Sequence, residues 1–311
     1  MAQFVSPVNA LSTHSKFSLN FAGPTHGVTS EGLPFGDYVE RYLYDKERLG
    51  PKWRYYNSEK LTYEENSLGH RSHLELENLK GEWGLVVGCS HTEGIANYYE
   101  DLYHQKLATK LEMPFYNAGI GGGSNDMAFH NALMIILFMK INPPKYLIFQ
   151  VTDLSRFLAK TLSPRAKPKD HISSIGSWSQ DKVHQDIMLA NEILQIPVTR
   201  LNVSLLQLSS LCNSFGIKFI PLDYFISLGI SRNCLEYDDL GISNEGFLPK
   251  SYGIEKKQMM ERLSVADKLF TSNVDRHNFA KARDLAHAGA GRHEEVSVFL
   301  ANVINSMEYP S

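Results

Sequence analysis

At 311 residues the chain has room for one large α/β domain with an extension, or for about two average domains. With 43% hydrophobic and 21% charged residues it is ordinary globular material, which excludes wholesale disorder, and a net charge of −3 argues against a dedicated nucleic-acid binder. Three scattered cysteines, Cys89, Cys212 and Cys234, signal neither a disulfide framework nor a zinc site and suit a reducing compartment.

The opening MAQFVSPVNALSTHSKFSLNFAG has no basic region followed by an apolar core, so no secretory signal is visible. The expectation is a cytoplasmic protein or a phage virion component. Residues 1–82 are rich in Gly, Pro, Ser and Tyr with little periodicity, and read as an irregular extension on a main domain spanning 83–311. Within it, Tyr42, Tyr44, Trp53, Tyr55, Tyr56 and Tyr63 form an aromatic cluster. Packing onto the neighbouring domain is its ordinary use, because aromatic rings bury large areas; a sugar-stacking platform is the alternative.

From Trp83 the alternation becomes regular. GLVVG (84–88) is a continuous apolar run of strand length, as expected for a strand covered on both faces. A helical stretch follows with Ile95, Tyr99 and Leu102 on one face, then a second strand, PFYNAG (114–119). A helix from about 125 to 140 contains the longest apolar run, ALMIILFM (132–139), far too short to cross a bilayer. Asn142-Pro143-Pro144 stops it, KYLIFQV (145–151) is a third strand, and the polar segment after it is a loop. Two helical segments flank Pro197, IKFIPL (217–222) is a fourth strand, and the pattern then weakens. Near the end, Val296, Phe299, Leu300, Val303, Ile304 and Met307 recur at helical spacing. Strands alternating with helices imply a mainly parallel sheet between two helical layers, with ligands bound beyond the carboxyl ends of the strands.

Chemistry gathers at those ends. GLVVGCSHTEG (84–94) stops a buried strand on a glycine and places Ser90 between Cys89 and His91 at the turn. A serine hydroxyl becomes a useful nucleophile only when a base takes its proton, and a histidine base works best when an acid fixes its tautomer. ARDLAHAGAGRHEE, just ahead of the last helix, offers Asp284 and His287 as such a pair.

These blocks resemble those of the SGNH (GDSL-type) hydrolases. GCSHTEG is similar to their G-D-S-x-T-x-G block, NAGIGGGS (117–124) to N-x-G-x-x-G, and DLAHAG to D-x-x-H-x-G. VTDLSR (151–156) falls where G-x-N-D would lie, and NSLGHR (66–71) resembles an N-S-x-G-x-R lead-in of some members. The resemblance covers roughly residues 83 to 308 and implies a flavodoxin-like three-layer α/β/α sandwich. It also implies Ser90 as nucleophile, His287 as base and Asp284 as its orienting acid. The oxyanion donors would be the Ser90 and Gly122 N–H groups with a side-chain amide from the third block, and Asn117 opens the second block.

The third block departs from the pattern, since Thr152 stands where the family has Asn. Gln150 and Arg156 are the candidates to supply the missing donor. Without one, about 3–4 kcal/mol of transition-state stabilisation is lost. Cys89 as nucleophile is a minor alternative, since it should point away from the site beside Ser90. A metal bound by His91, His293, Glu93 and Asp153 lacks any recognised ligand spacing. The glycines at 119–123 fail as a dinucleotide fingerprint because Ser124 holds the last Gly position. No cofactor, metal, nucleic acid or membrane is implied.

The basic loop KTLSPRAKPKDH (160–171) is an ordinary solvated loop or a receiver of an anionic substrate. Hydrolysis of an O-acyl ester, of acetyl size and on a small molecule or a carbohydrate, is the leading expectation, with acyl transfer as a variant. A binding or structural module with a weakened site, forming homo-oligomers or part of a phage particle, is the alternative.

Overall fold

The structure, a computed structural model, describes residues 39–58, 61, 63–154, 156–160, 172–176, 182–193, 196–222, 273–282 and 287–308. Four parallel strands form one sheet: β1 (Gly84–Gly88), β2 (Phe115–Gly119), β3 (Tyr146–Gln150) and β6 (Lys218–Leu222), in the order β2-β1-β3-β6. β1 lies at the centre, with Val86 opposite Asn117 on one side and Ile148 on the other. That order is the doubly wound arrangement in which the chain leaves β1 in opposite directions, opening a crevice at its carboxyl end.

The strands form because their residues are buried on both faces; every residue of β1, β2 and β3 is buried. Side chains alternate across the sheet. Leu85, Val87, Leu147 and Phe149 meet one helical layer, built from α4 (Asn125–Phe138) and α6 (Ile196–Phe215). Val86, Tyr146, Ile148 and Ile220 meet the other, built from α3 (Tyr103–Leu111) and α8 (Ala290–Glu308). In α8 the expected stripe is in place, with Val296, Leu300, Val303 and Ile304 in that second core. α4 begins on Ser124, whose hydroxyl accepts from Met127 N at 3.3 Å. The three-layer α/β/α architecture expected from the sequence is therefore present.

Two local expectations are corrected. No helix carries Ile95, Tyr99 and Leu102 together: α2 is the single turn Ser90–Glu93, a 3-10 turn spans Tyr99–Asp101, and α3 starts only at Tyr103. Gly94 at φ +86° and Ala96 at φ +59° break the path, although Ile95 and Leu102 are both buried. The loop after β3 is not wholly irregular, because β4 (Phe157–Lys160) pairs antiparallel with β5 (Ile172–Ile175). The helical reading around Pro197 is α5 (Lys182–Ile193) followed by α6.

In the extension, α1 (Val39–Leu49) leads into the aromatic cluster. Tyr42, Leu49, Trp53 and Tyr55 are buried together and pack against Tyr98 and Val274 of the main body, while Tyr44 is exposed. Arg54 N donates to Asn278 Oδ1 at 2.8 Å, and Asn278 Nδ2 to Lys52 O at 2.9 Å, so the extension also grips α7 (Asn273–Ala280). Packing, the ordinary use of such rings, accounts for the buried members of the cluster. Among the described residues no helix is long and apolar enough to cross a membrane, and no group of three or more His, Cys, Asp or Glu is placed to hold a metal ion.

Candidate active site

β1 ends on a glycine, Gly88, where nothing larger fits: a Cβ there would lie 2.5 Å from both Gln150 Oε1 and Thr92 Oγ1. Cys89 continues in an extended conformation, and α2 then opens on Ser90 and closes on left-handed Gly94. Ser90 is buried to 6% exposure, and among the described residues neither its hydroxyl nor its N–H makes a hydrogen bond. Cys89 is 1% exposed, and its thiol donates into the protein to Gln150 Oε1 at 3.2 Å. That removes the accessible setting a thiolate nucleophile needs.

The glycine loop after β2 is tied to the serine turn at several points. Ile120 N donates to Gly88 O at 3.0 Å, Gly121 N to the buried Glu93 carboxylate, and Gly123 N to Ile120 O at 2.9 Å. Gly122 has φ +66°, which glycine adopts without strain, and its N–H has no partner among the described residues. A Cβ on Gly119 would meet Glu93 N at 2.6 Å, so the loop and α2 touch backbone to backbone. Asn117 is fully buried; its Nδ2 donates to Thr92 O at 3.1 Å and its Oδ1 accepts from Gly119 N at 2.9 Å. Its Nδ2 thus joins β2 to α2, while its Oδ1 secures the end of β2 itself.

At the third station Thr152 has its backbone held twice by Asn125, which accepts from Thr152 N at 2.8 Å and donates to Thr152 O at 3.0 Å. Gln150, a candidate replacement donor, points the other way. Its carbonyl accepts from Cys89 N at 2.9 Å and Thr92 Oγ1 at 3.1 Å, and its Nε2 donates to Val151 O at 2.6 Å. A backbone N–H can only donate, which fixes the orientation of this amide. Gln150 therefore positions the turn. Arg156 Nη1 lies 3.4 Å from Gly123 O, on the glycine loop.

The carboxyl-terminal residues arrive opposite. His287 O accepts from Ala282 N at 3.0 Å, Lys281 pairs with Ala288 in an isolated bridge, and Gly289 packs on the Lys281 backbone. The His287 ring lies 5.1 Å from the His91 ring, tilted edge to face at 61°. Ala288 N donates to His91 Nδ1 at 3.4 Å, and Ala288 O accepts from Asn97 Nδ2 at 2.9 Å. His91 keeps some exposed surface, yet enclosure of its ring holds its pKa well below the ordinary value, and the neighbouring basic groups His287, His293, Arg156 and Lys281 disfavour a further positive charge there. Asp284, the expected partner of His287, lies outside the described residues, as does most of the basic loop 160–171.

Sequence reasoning missed the residues that brace the turn beyond α2. Arg71, 2% exposed, donates to Gly94 O and, at 2.9 Å, to Asn97 O, and its guanidinium lies 4.0 Å over the Tyr63 ring. Tyr63 Oη accepts from Ala96 N at 2.7 Å, which holds Ala96 in its left-handed conformation. In the same lead-in, Asn66 Nδ2 donates to Tyr116 Oη at 2.8 Å and His70 Nδ1 bonds the same oxygen at 2.8 Å. NSLGHR was the available signal: its Arg and Asn fasten the extension to the nucleophile turn and to β2.

No protein-family model and no curated protein matches the sequence. Among solved structures, the chain is similar to two proteins assigned to the lipolytic G-D-S-L family. One, from Desulfitobacterium hafniense, has 11% identity over 72% of this chain and 99% of that chain, with a TM-score of 0.37. The other, from Veillonella parvula, has 13% identity over 72% and 99%, with a TM-score of 0.36.

Proposed function

We propose that the chain is a serine ester hydrolase acting on a small O-acyl group, with Ser90 as nucleophile and His287 as general base. One observation carries the reading. The Ser90 N–H on the serine turn and the Gly122 N–H on the glycine loop tied to that turn are both without partners among the described residues, while their neighbours Cys89, Gly121 and Gly123 have theirs engaged. Unpartnered backbone donors flanking a nucleophile are what a developing oxyanion requires.

The Ser90 oxygen attacks the acyl carbon while His287 takes its proton, and the carbonyl oxygen becomes an oxyanion facing those two N–H groups. Collapse breaks the bond to the alcohol, which leaves with the proton from His287. Water, deprotonated by the same ring, then attacks the acyl-enzyme, releasing the acid and restoring the Ser90 hydroxyl. Asp284 would hold the imidazole tautomer. A carbohydrate acetate is the substrate class we favour, on the resemblance of the NSLGHR lead-in. Acyl transfer to another acceptor uses the same steps.

The weakened binding or structural module remains the second reading, favoured by Thr152 and by the orientation of Gln150, neither of which offers a side-chain amide to the oxyanion. Turnover of p-nitrophenyl acetate and of acetylated sugars, together with fluorophosphonate labelling, separates the two. Turnover and labelling abolished by Ser90→Ala, and turnover abolished by His287→Ala, support the hydrolase. Folded wild-type protein that neither labels nor releases acetate supports the module.

A further inference from the structure

The residue that follows the base has both its polar backbone groups held by the segment that follows the nucleophile. Ala288 O accepts from Asn97 Nδ2 at 2.9 Å, the firmer hold, and Ala288 N donates to His91 Nδ1 over a longer 3.4 Å. Those partners stand seven positions and one position after Ser90. From this geometry we propose that His91 and Asn97 are positioning residues that set where the His287 ring stands relative to Ser90. The proposal rests on the hydrolase reading above.

The clamp is anchored from behind. Asn97 is fully buried; besides Ala288 O, its Nδ2 donates to Ile95 O at 3.2 Å, and its Oδ1 accepts from Tyr55 Oη at 2.9 Å. Tyr55 is itself fully buried in the aromatic cluster of the extension. Arg71 fixes the Asn97 backbone through its carbonyl. A chain of contacts thus runs from the extension through Asn97 to the base loop, while α7, gripped by Lys52 and Arg54, brings in the other end of that loop. On the His91 side, a backbone N–H can only donate, so Nδ1 accepts and the ring carries its proton on Nε2. His91 also packs edge to face on the His287 ring, which limits the ring's swing on that side. The extension serves the chemistry through this path even though no side chain of it has a role in the steps.

The test uses the full chain and the variants His91→Leu, His91→Asn, Asn97→Leu and Tyr55→Phe. Kinetics are measured with p-nitrophenyl acetate, and the histidine ring resonances are followed by 15N NMR. Displacing a base by about an ångström costs on the order of 100-fold. His91→Leu and Asn97→Leu are therefore expected to lower kcat by about 10- to 100-fold with little change in KM, and to shift the His287 ring resonances. His91→Asn, whose Oδ1 can accept near the place of Nδ1, is expected to recover most of that loss, and Tyr55→Phe to show a smaller fall. Should Asn97→Leu fail to fold, the His91 pair and Tyr55→Phe decide the matter. Unchanged kcat and unchanged His287 resonances in His91→Leu would overturn the clamp. Wild-type turnover that survives Ser90→Ala would instead overturn the hydrolase reading, while the resonance shifts would still report the clamp.

Discussion

Replacing Arg71 by Leu tests whether one buried cation organises the turn beyond the nucleophile. The guanidinium is almost wholly inside the protein, and burial pulls its pKa below the ordinary arginine value, with nearby Tyr63 and Glu93 opposing that shift. Its firm bonds go to Gly94 O and Asn97 O; the approach to Glu93 O, at 3.4 Å, adds little. Hydrogen bonds from a charged donor contribute about 1.5–3 kcal/mol each, and buried carbonyls left bare cost about 1–3 kcal/mol each. The ring contact with Tyr63 adds on the order of 1 kcal/mol. Against this, Leu removes the standing cost of keeping a cation out of water, which offsets a part of the loss. The expected net destabilisation is about 3–5 kcal/mol, a large fraction of the ~5–15 kcal/mol of a typical domain. Urea unfolding followed by tryptophan fluorescence reads it, because Trp53 and Trp83 are both buried. Arg71→Lys, with one compact donor in place of a fork, should fall between wild type and Leu. A loss below about 1 kcal/mol in Arg71→Leu, on the scale of an ordinary surface change, would refute the reasoning.

Other consequences are open to measurement. Gly119→Ala pushes a methyl into Glu93 N and Thr92 Cβ, neither of them a flexible side-chain end, so a destabilisation of about 1–3 kcal/mol in the same urea assay is expected, with turnover lowered as the serine turn shifts. Thr152→Asn restores an amide at the third station, and under the hydrolase reading it should raise kcat on p-nitrophenyl acetate by about 10-fold or more. Gln150→Leu strips the acceptor from Cys89 N and Thr92 Oγ1, for a loss of about 1–3 kcal/mol in urea unfolding. Burial lowers the pKa of His104 well below its ordinary value and that of His293 to about 3. Both rings take up protons more readily once unfolded, so the stability they confer is complete above the unfolded value of ~6.5 and declines as pH falls below it. Each contributes a slope of up to about 1.4 kcal/mol per pH unit there. His293→Asn should flatten the acid limb of a melting-temperature profile measured between about pH 7 and 5.

What was legible in the sequence followed from burial. β1 read as a continuous apolar run because it lies inside the sheet with helices over both faces, β2, β3 and β6 read as short apolar-rich strands because the same helical layers cover them, and α8 read as a stripe because one face meets the second core. The positions of Ser90 and Gly122 were legible for a related reason. A strand end followed by a glycine-rich turn is a local pattern, and local patterns survive in sequence. The start of α3 was not legible, because the left-handed residues Gly94 and Ala96 are held there by Leu102 packing, Tyr63 and Arg71. The periodicity of Ile95, Tyr99 and Leu102 is real, but it reflects burial on an irregular path. Gln150 misled because its identity announces an amide without saying which way the amide faces.

Taken alone, the sequence determined the layers, the parallel sheet and which strand ends would carry polar residues, since those depend on spacing between near neighbours and on the exclusion of water from apolar side chains. Only the tertiary structure decided that His91 and Asn97 grip Ala288, that Arg71 braces the turn from the extension, and that Gln150 faces inward to Cys89. These contacts join residues far apart in the chain, and their geometry is set by hydrogen-bond directions that exist only once the sheet has brought the segments together.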